Sequence, residues 1–324
     1  MVEKFCSQCG AKMPVLNARF CTECGAAATN APQSEETSDA TATQQELIAN
    51  GWLDKESTLS KLGHRLGDRL DAILPTNNEP DVDPEDAGAL NEKGQALIKL
   101  GRKEEAIEYF DKAIDIDPRF ALAWNNRGLS LSALGRNQEA IASLDAALEI
   151  DPTLAVAWTN KGAAFNALGR RQEALQCFDK ALEIDPTLAV AWVSKGGTLI
   201  VLGRVQEGLQ CTDKALEMNP KNATAWSNKG FALSNLGHRL EALECFDKAL
   251  EINSNNAAAW SNKGNTLNAL GRRQEALECF DKALEINPSN ANAWVVKGNT
   301  LNALGRRQEA LQCVKRAKQL KTKR

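Results

Sequence analysis

The sequence predicts an all-α protein: a solenoid of seven helix-turn-helix units that follows a small cysteine-rich module and a flexible tether. Three observations support this prediction. A tryptophan recurs at one fixed interval through most of the chain, and a glycine recurs four positions after it. Four cysteines near the start form two CxxC pairs. A stretch rich in Ala, Thr, Ser and Gln separates the two regions. A fixed period of roughly 20–50 residues is the signature of repeat architectures.

Composition and charge narrow the class of protein. The chain has 324 residues, an apolar fraction of 43% and a net charge of −3, and this apolar fraction is enough for a packed core. No window approaches the roughly 18 apolar residues of a transmembrane helix, and no apolar signal run follows Met1, so we expect a cytoplasmic protein. The net charge is +1 over residues 1–26, −9 over residues 27–86 and +5 over residues 87–324. The broad basic surface of a dedicated nucleic-acid binder is therefore not expected.

Residues 1–26 carry a metal-binding pattern. Cys6 and Cys9 form one CxxC turn and Cys21 and Cys24 another, each preceded by Phe and followed by Gly. Two such pairs can supply four thiolates to one tetrahedral Zn²⁺, and so short a segment needs metal to fold. The pattern resembles the short zinc-ribbon domains at the N-termini of many prokaryotic proteins. Two disulfides or four free thiols are the alternatives, and a cytoplasmic setting disfavours disulfides. Because all four positions are Cys, we expect one structural Zn²⁺.

Residues 27–86 have the composition of an acidic, low-complexity linker with one amphipathic helix near residues 55–74. The apolar residues of this helix share one face, and Pro75 ends the pattern. The helix would cap the first repeat, associate with a second copy or lie on a membrane surface. Its polar face carries both acidic and basic residues, whereas a membrane-binding helix has a polar face rich in Lys and Arg, so the membrane hypothesis is the least favoured. The face comprises Leu59, Leu62, Leu66, Leu70 and Ile73.

Each repeat unit contains two helical stretches. Helix A runs from the Trp to the Leu before Gly-Arg, and helix B from Gln-Glu-Ala to the Ile before Asn-Pro or Asp-Pro. Glycines of the Gly271 type end helix A, and prolines of the Pro288 type open the next turn. The units, numbered 1 to 7 below, are 87–120, 121–154, 155–188, 189–222, 223–256, 257–290 and 291–324.

The period of about 34 residues and the recurring Trp, Gly, Ala, Phe and Pro are similar to the tetratricopeptide repeat (TPR). The resemblance implies a right-handed superhelix whose concave face is lined by helix A. Two departures stand out. Before the helix A glycine the family usually has Leu, whereas units 2–7 have Arg or Lys, whose stem we expect to pack while its charge reaches solvent. Unit 4 has Gly208 and Thr212 where other units have Ala and mostly Phe.

On helix A, six positions of each unit share one stripe about 120° wide, which we take as the candidate binding surface. Asn amides along it both donate and accept, so they can pair with the main chain of an extended peptide. This resembles the asparagine-lined groove in the repeats of O-GlcNAc transferase, although this sequence contains no glycosyltransferase domain. In unit 4 the stripe becomes apolar, which indicates an anchor pocket. The candidate peptide-binding residues are Asn126, Asn160, Val190, Val193, Ile200, Val201, Asn228, Phe231, Asn262, Asn265, Asn268, Asn299 and Asn302.

Two alternatives stay open for this surface: solvated amides without a partner, and apolar residues that only fill contacts between helices. The stripe has no Lys or Arg in units 2–7. Repeats that clamp the acidic tails of chaperones need such cations, so we disfavour that class of ligand. Cysteines also recur once per unit on helix B from unit 3 onwards, and we expect them to pack in the interior. Equivalent positions in stacked units lie about 10 Å apart, beyond the roughly 7 Å Cα separation that a disulfide spans.

The sequence predicts a non-enzymatic scaffold, because no Ser/His/Asp arrangement, phosphate loop or paired-carboxylate cleft emerges. In this prediction the groove binds an extended peptide or a partner protein, and the zinc ribbon is an accessory interaction module. The alternative is a nucleic-acid-associated adaptor that uses the ribbon and the basic end of the chain. A helix end that complements its own dipole also explains that basic end. Its residues are Lys315, Arg316, Lys318, Lys321, Lys323 and Arg324.

Overall fold

The structure, a computed structural model, describes residues 86–322. Within that range it contains fourteen α-helices and no strand, which confirms the predicted all-α solenoid. The helices form seven pairs, with helix A odd-numbered and helix B even-numbered. The zinc ribbon predicted for residues 1–26 and the helix predicted near residues 55–74 lie outside the described residues. The helices are α1 (Ala87–Lys99), α2 (Lys103–Ile116), α3 (Ala121–Ala133), α4 (Asn137–Ile150), α5 (Ala155–Ala167), α6 (Arg171–Ile184), α7 (Ala189–Val201), α8 (Val205–Met218), α9 (Ala223–Asn235), α10 (Arg239–Ile252), α11 (Ala257–Ala269), α12 (Arg273–Ile286), α13 (Ala291–Ala303) and α14 (Arg307–Lys321).

A glycine turns the chain from helix A to helix B in every unit, as the sequence predicted. The φ angles of these glycines run from +77° at Gly169 to +90° at Gly237. Glycine adopts this left-handed backbone at little cost because it has no Cβ. The turn is therefore short, and each helix B folds back along its own helix A.

An ion pair follows this turn at the start of helix B. In unit 2, Arg136 Nη2 lies 2.6 Å from Glu139 Oε2, and the hydrogen bond from Arg136 lowers the pKa of Glu139. The pair therefore supports the fold above the unfolded-state pKa of Glu, and this support is lost as the pH falls through the folded-state pKa. Both side chains are about half exposed, so the contribution is small.

The repeating tryptophan holds the turn between consecutive units. Its indole N–H donates to the main-chain carbonyl six residues earlier, over 2.8 to 3.0 Å in units 2–7. In five of these units the acceptor belongs to a proline, and in unit 6 it belongs to Ser254. The bond survives the loss of proline because the acceptor is a backbone oxygen, which every residue type supplies.

Within a unit, helix A and helix B approach closely at the glycine that recurs after each tryptophan. In unit 3, a Cβ added to Gly162 would lie 2.5 Å from Cε1 of Phe178. Phe178 is completely buried, in a cluster that contains residues of units 1, 2 and 3. The glycine thus makes room for the phenylalanine, and the phenylalanine joins neighbouring units.

Unit 4 packs differently, and its departures from the pattern compensate one another. Thr212 replaces the buried phenylalanine and lies beneath Gly196, whose added Cβ would be 2.9 Å from Thr212 Cγ2. A Cβ on Gly208 would lie 2.5 Å from Cγ1 of Ile200. The Ile200 side chain therefore fills the space that an alanine methyl takes in the other units.

Candidate functional site

The candidate site is the helix A stripe identified from the sequence, here called the A stripe: the second, fifth, sixth, ninth, twelfth and thirteenth residues of units 2–7. None of these residues is Asp, Glu, Lys or Arg, although a quarter of the whole chain is charged. The stripe thus lacks acids as well as the cations whose absence was noted from the sequence. The structure divides the stripe into a buried floor and an exposed surface.

Asparagines form the floor of the stripe in units 2 and 3 and connect it to Asn91 of unit 1. Asn160 Nδ2 donates to Asn125 Oδ1 over 2.9 Å, Asn125 Nδ2 to Asn126 Oδ1 over 3.2 Å, and Asn126 Nδ2 to Asn91 Oδ1 over 2.9 Å. These four side chains, the amide relay, cross three successive A helices and are at most 5% exposed. Asn126 and Asn160 were predicted to face a ligand. In the structure they bind other asparagines instead and tie the units together.

A second set of polar contacts joins the A helices further along the chain. Asn268 Nδ2 donates to Thr300 Oγ1 over 2.6 Å, and the equivalent Asn166 Nδ2 donates to Thr198 Oγ1 over 2.6 Å. Asn228 Nδ2 lies 3.4 Å from the carbonyl oxygen of Val193. Asn228 and Asn268, both predicted ligand residues, are half-buried, so each amide is partly committed to a neighbouring helix.

The apolar pocket predicted in unit 4 is mostly filled. Val190, Val193 and Ile200 are 5, 2 and 4% exposed, which corrects their placement on an open surface. Val193 packs with residues of α8 and α9, and Ile200 covers Gly208. Val201 is 58% exposed and Phe231 is half-buried, so these two predicted residues remain available.

The accessible surface of the stripe has an apolar part and an amide part. Leu122 is 47% exposed, and Leu129 and Val156 are half-buried. These three residues were not predicted as ligand contacts, because the asparagines that recur along the repeats were selected instead. Their positions on the stripe would have been enough to identify them. In units 6 and 7 the predicted amides other than Asn268 are more open: Asn265, Asn299 and Asn302 are exposed and Asn262 is half-buried.

A cation holds each junction between units. In unit 3, Lys161 Nζ lies 2.5 Å from Oδ1 of Asp145, which belongs to helix B of the preceding unit. The same ammonium lies 5.1 Å from the ring centroid of Trp158. We call this arrangement of a cation and an aspartate the junction clasp. It recurs in the pairs Arg127 and Asp111, Lys195 and Asp179, Lys229 and Asp213, Lys263 and Asp247, and Lys297 and Asp281.

A cleft of about 280 Å³ lies among α6, α7 and α8. Trp192, Leu199 and Cys211 line it, together with Lys195 and Asp179. Lys195 and Asp179 are a clasp pair, 2.6 Å apart. These two charges already satisfy each other, so the cleft offers less to orient a ligand than a site with convergent unpaired charges. The A stripe is the better candidate.

Models of the tetratricopeptide repeat match residues 155–188, 223–256 and 257–290, residues 77–119 and 92–155, and residues 279–312. Together these matches span more than half of the chain. The chain belongs to the tetratricopeptide repeat family. A model of the protein prenyltransferase alpha subunit repeat matches residues 205–236, from helix B of unit 4 into helix A of unit 5. No curated protein matches the chain.

Solved structures share this architecture. A tetratricopeptide repeat protein from Parabacteroides merdae is 21% identical, with 72% of this chain and 93% of that chain covered and a TM-score of 0.58. A chain of the APC/C hetero-tetramer Cut9-Hcn1 is 17% identical, with 88% and 53% covered and a TM-score of 0.65, so this chain spans about half of it. YrrB, described as a TPR protein with an unusual peptide-binding site, is 30% identical, with 58% and 97% covered and a TM-score of 0.44. Members of the family mediate protein–protein interactions and bind peptides.

The junction clasp accounts for the departure of this tetratricopeptide repeat protein from the family pattern. The sequence predicted a cation that reaches solvent, but the Lys161 side chain is only 17% exposed. We expect Lys161→Met to lower the free energy of unfolding by about 1 kcal/mol, because it removes a half-buried ion pair and a cation–π contact. Urea unfolding of Lys161→Met, of Asp145→Asn and of the double variant measures the coupling energy between the two residues.

Lys180→Met is the matched control. Lys180 pairs with Glu183 on the same helix, and both side chains are more than half exposed. We expect a change within about 0.5 kcal/mol, as for most surface substitutions. Equal losses from the two lysines would contradict a clasp between units.

The cysteines of the repeats are interior packing groups, as predicted. Cys177, Cys211, Cys245, Cys279 and Cys313 are buried and carry free thiols. Burial raises the pKa of Cys177 and of Cys279 to about 11. Within residues 86–322 no group of His, Cys, Asp or Glu is placed to hold a metal ion, and no helix there is long and apolar enough to cross a membrane.

These thiols should react slowly. At a pH of about 8, near the ordinary pKa of a free thiol, only the thiolate reacts, and a pKa of about 11 leaves it scarce at Cys177 and Cys279. We expect both to remain unmodified when the folded protein is briefly treated with iodoacetamide, and to react fully in denaturant. Peptide mapping by mass spectrometry reads each site separately. Fast labelling of either residue in the folded protein would refute this.

Four residues of the basic end lie on α14, and Lys323 and Arg324 lie outside the described residues. Lys315, Arg316, Lys318 and Lys321 are exposed, and Lys318 and Lys321 occupy the last turn of the helix. Cations there complement the negative end of the helix dipole. Leu311 is 55% exposed, whereas equivalent leucines such as Leu277 are covered by the next unit.

Proposed function

We propose that this protein is a non-enzymatic interaction scaffold that binds an extended peptide segment of a partner along the A stripe. One observation supports this most strongly: an accessible, uncharged surface that runs across six successive A helices and carries exposed amides and apolar side chains. Exposed amides suit the main chain of a peptide because each both donates and accepts. The peptide binding known for the family points in the same direction.

The test uses peptides long enough to cross the stripe, selected from a random display library on the full-length protein and then labelled for fluorescence anisotropy. Leu122→Glu and Val201→Lys place charges on the stripe at exposed positions. The first lies near a helix N-terminus and the second near a C-terminus, so each charge agrees with the helix dipole. We expect each substitution to weaken peptide binding at least tenfold.

The controls place the same charges on helix B. Gln138→Glu near the start of α4 and Met218→Lys at the end of α8 alter exposed positions away from the stripe. Both should bind the peptides as the unaltered protein does. Equal losses in the controls would refute binding along the stripe. A charge placed at Val193 or Ile200 would not test the stripe, because both residues are buried and the substitution would unfold unit 4.

We further propose that Cys6, Cys9, Cys21 and Cys24 bind one structural Zn²⁺ and that residues 1–26 act as an accessory interaction module. Two CxxC pairs with this spacing support the proposal, since four thiolates complete a tetrahedral site. The purified protein should contain about one zinc per chain by atomic absorption, and Cys9→Ser should lose it. Protein without zinc, or a Cys9→Ser variant that retains it, would contradict the proposal.

A further inference from the structure

We infer that the segment bound by the A stripe is an uncharged extended peptide, apolar in one half and small or polar in the other. This rests on the proposed function and adds the chemistry of the ligand. The length of the segment follows from the geometry. Six A helices spaced about 10 Å apart present roughly 50 Å, which about 15 residues of extended chain cover at about 3.3 Å per residue.

The exclusion of charge follows from the composition of the surface. Along the whole stripe in units 2–7 no side chain is charged. The cation at the seventh position of each of units 2–7, adjacent in sequence to the stripe, is paired with an aspartate in a junction clasp. A Lys or Glu of the ligand seated on the stripe would lose water without gaining an opposite charge, and burial of an unpaired charge is costly. An uncharged ligand avoids this cost, and its affinity should depend little on salt.

The two halves of the ligand follow from the two parts of the stripe. Over α3–α9 the large apolar side chains that remain accessible are Leu122, Leu129, Val156, Val201 and Phe231. Of the asparagines on this part, Asn125, Asn126 and Asn160 are buried in the amide relay, Asn166 and Asn228 are half-buried and bonded to neighbouring A helices, and Asn235 is exposed. Apolar side chains of the ligand gain most here, because they remove apolar surface from water. The peptide main chain has few exposed amides to pair with on this part.

Over α11 and α13 the exposed side chains of the stripe are the amides of Asn265, Asn292, Asn299 and Asn302 and the methyl groups of Ala258, Ala269 and Ala303. To reach the main chain of the ligand the amides need close approach, which small side chains such as Gly, Ser or Ala permit. The asparagines therefore divide by burial into a structural set, Asn91, Asn125, Asn126 and Asn160, and a ligand-binding set, Asn265, Asn299 and Asn302. Identical residue types in one repeating pattern thus have two different roles.

The experiment uses the selected library peptides as probes. We expect enriched sequences to be poor in Asp, Glu, Lys and Arg and to carry their apolar residues at one end. Replacing one of those apolar residues by Glu or by Lys should weaken binding tenfold or more with either sign of charge. Binding should change less than about twofold between roughly 50 and 200 mM salt, over which phosphate-contacting proteins lose orders of magnitude.

One set of variants and one crosslinking experiment separate the halves of the stripe. The triple variant Asn265→Ala, Asn299→Ala, Asn302→Ala should weaken binding at least tenfold while the urea midpoint stays unchanged, and Gln274→Ala on helix B is its control. A photoreactive group at the apolar end of the probe should crosslink to α3–α9 and one at the other end to α11 or α13.

The outcomes distinguish this inference from the proposed function. Enrichment of charged peptides that still depend on Leu122 and Val201 would overturn the inference and leave the proposed function intact. An unaltered affinity in the triple variant, or crosslinks in the reverse order, would do the same. If no peptide is enriched on the unaltered protein relative to the Leu122→Glu variant, the inference and the proposed function are both refuted.

Discussion

Replacing Phe178 by alanine is expected to lower the free energy of unfolding by about 3–5 kcal/mol, the usual cost of removing a buried phenyl ring. Phe178 is completely buried, and Gly162 leaves its ring the space it occupies. Gly162 has no side chain that could fill this space once the ring is gone. The loss should appear in urea unfolding and, because repeats are stabilised by their nearest neighbours, as faster amide exchange in α5 and α6.

Thr212→Ala is the matched control, since Thr212 takes the same position in unit 4 and is also completely buried. It loses one methyl and a hydroxyl that donates to the Leu209 carbonyl of its own helix. Its cost should be about 1 kcal/mol, near that of one buried methylene. Equal losses at the two positions would show that the ring does not join the units.

The period of the sequence was sufficient to predict the helix pairs and their turns. A residue that recurs once per unit meets the same surroundings in each unit, so Gly169 and Gly237 mark turns whose φ angle only glycine adopts readily. Similarly, the recurrence of Cys177 on helix B predicted its interior place. Such local and repeated features need no knowledge of how units stack.

The contacts between units could not be predicted in this way. Lys161 pairs with Asp145, which lies on helix B of the preceding unit. Only the stacking geometry of the units reveals this pair. Helical periodicity places Asn126 and Asn265 on one stripe, but it does not say whether a neighbouring helix A covers them. The Ile200 side chain occupies the space that Gly208 leaves by lacking a methyl group. Considering each residue separately does not reveal such a compensation between two positions.

Asn125→Ala is expected to lower the free energy of unfolding by about 2–3 kcal/mol, since a buried polar group that loses its partner costs about 1–3 kcal/mol. Asn125 is the centre of the amide relay: it accepts from Asn160 and donates to Asn126, and it is 3% exposed. Alanine would leave both partners without that bond. Because the relay is buried, water reaches these groups only when the helices separate. Urea unfolding measures the loss.

Asn265→Ala is the control that separates the two roles of asparagine. The same residue type lies on the same stripe of helix A, but it is exposed, so its removal should change stability by no more than about 0.5 kcal/mol. In the peptide-binding assay the order should reverse: Asn265→Ala should weaken binding, and Asn125→Ala should leave the affinity of the folded protein nearly unchanged. If both substitutions had small and equal effects on stability, the relay would be hydrated in solution. Its asparagines would then be as open to a ligand as those of units 6 and 7.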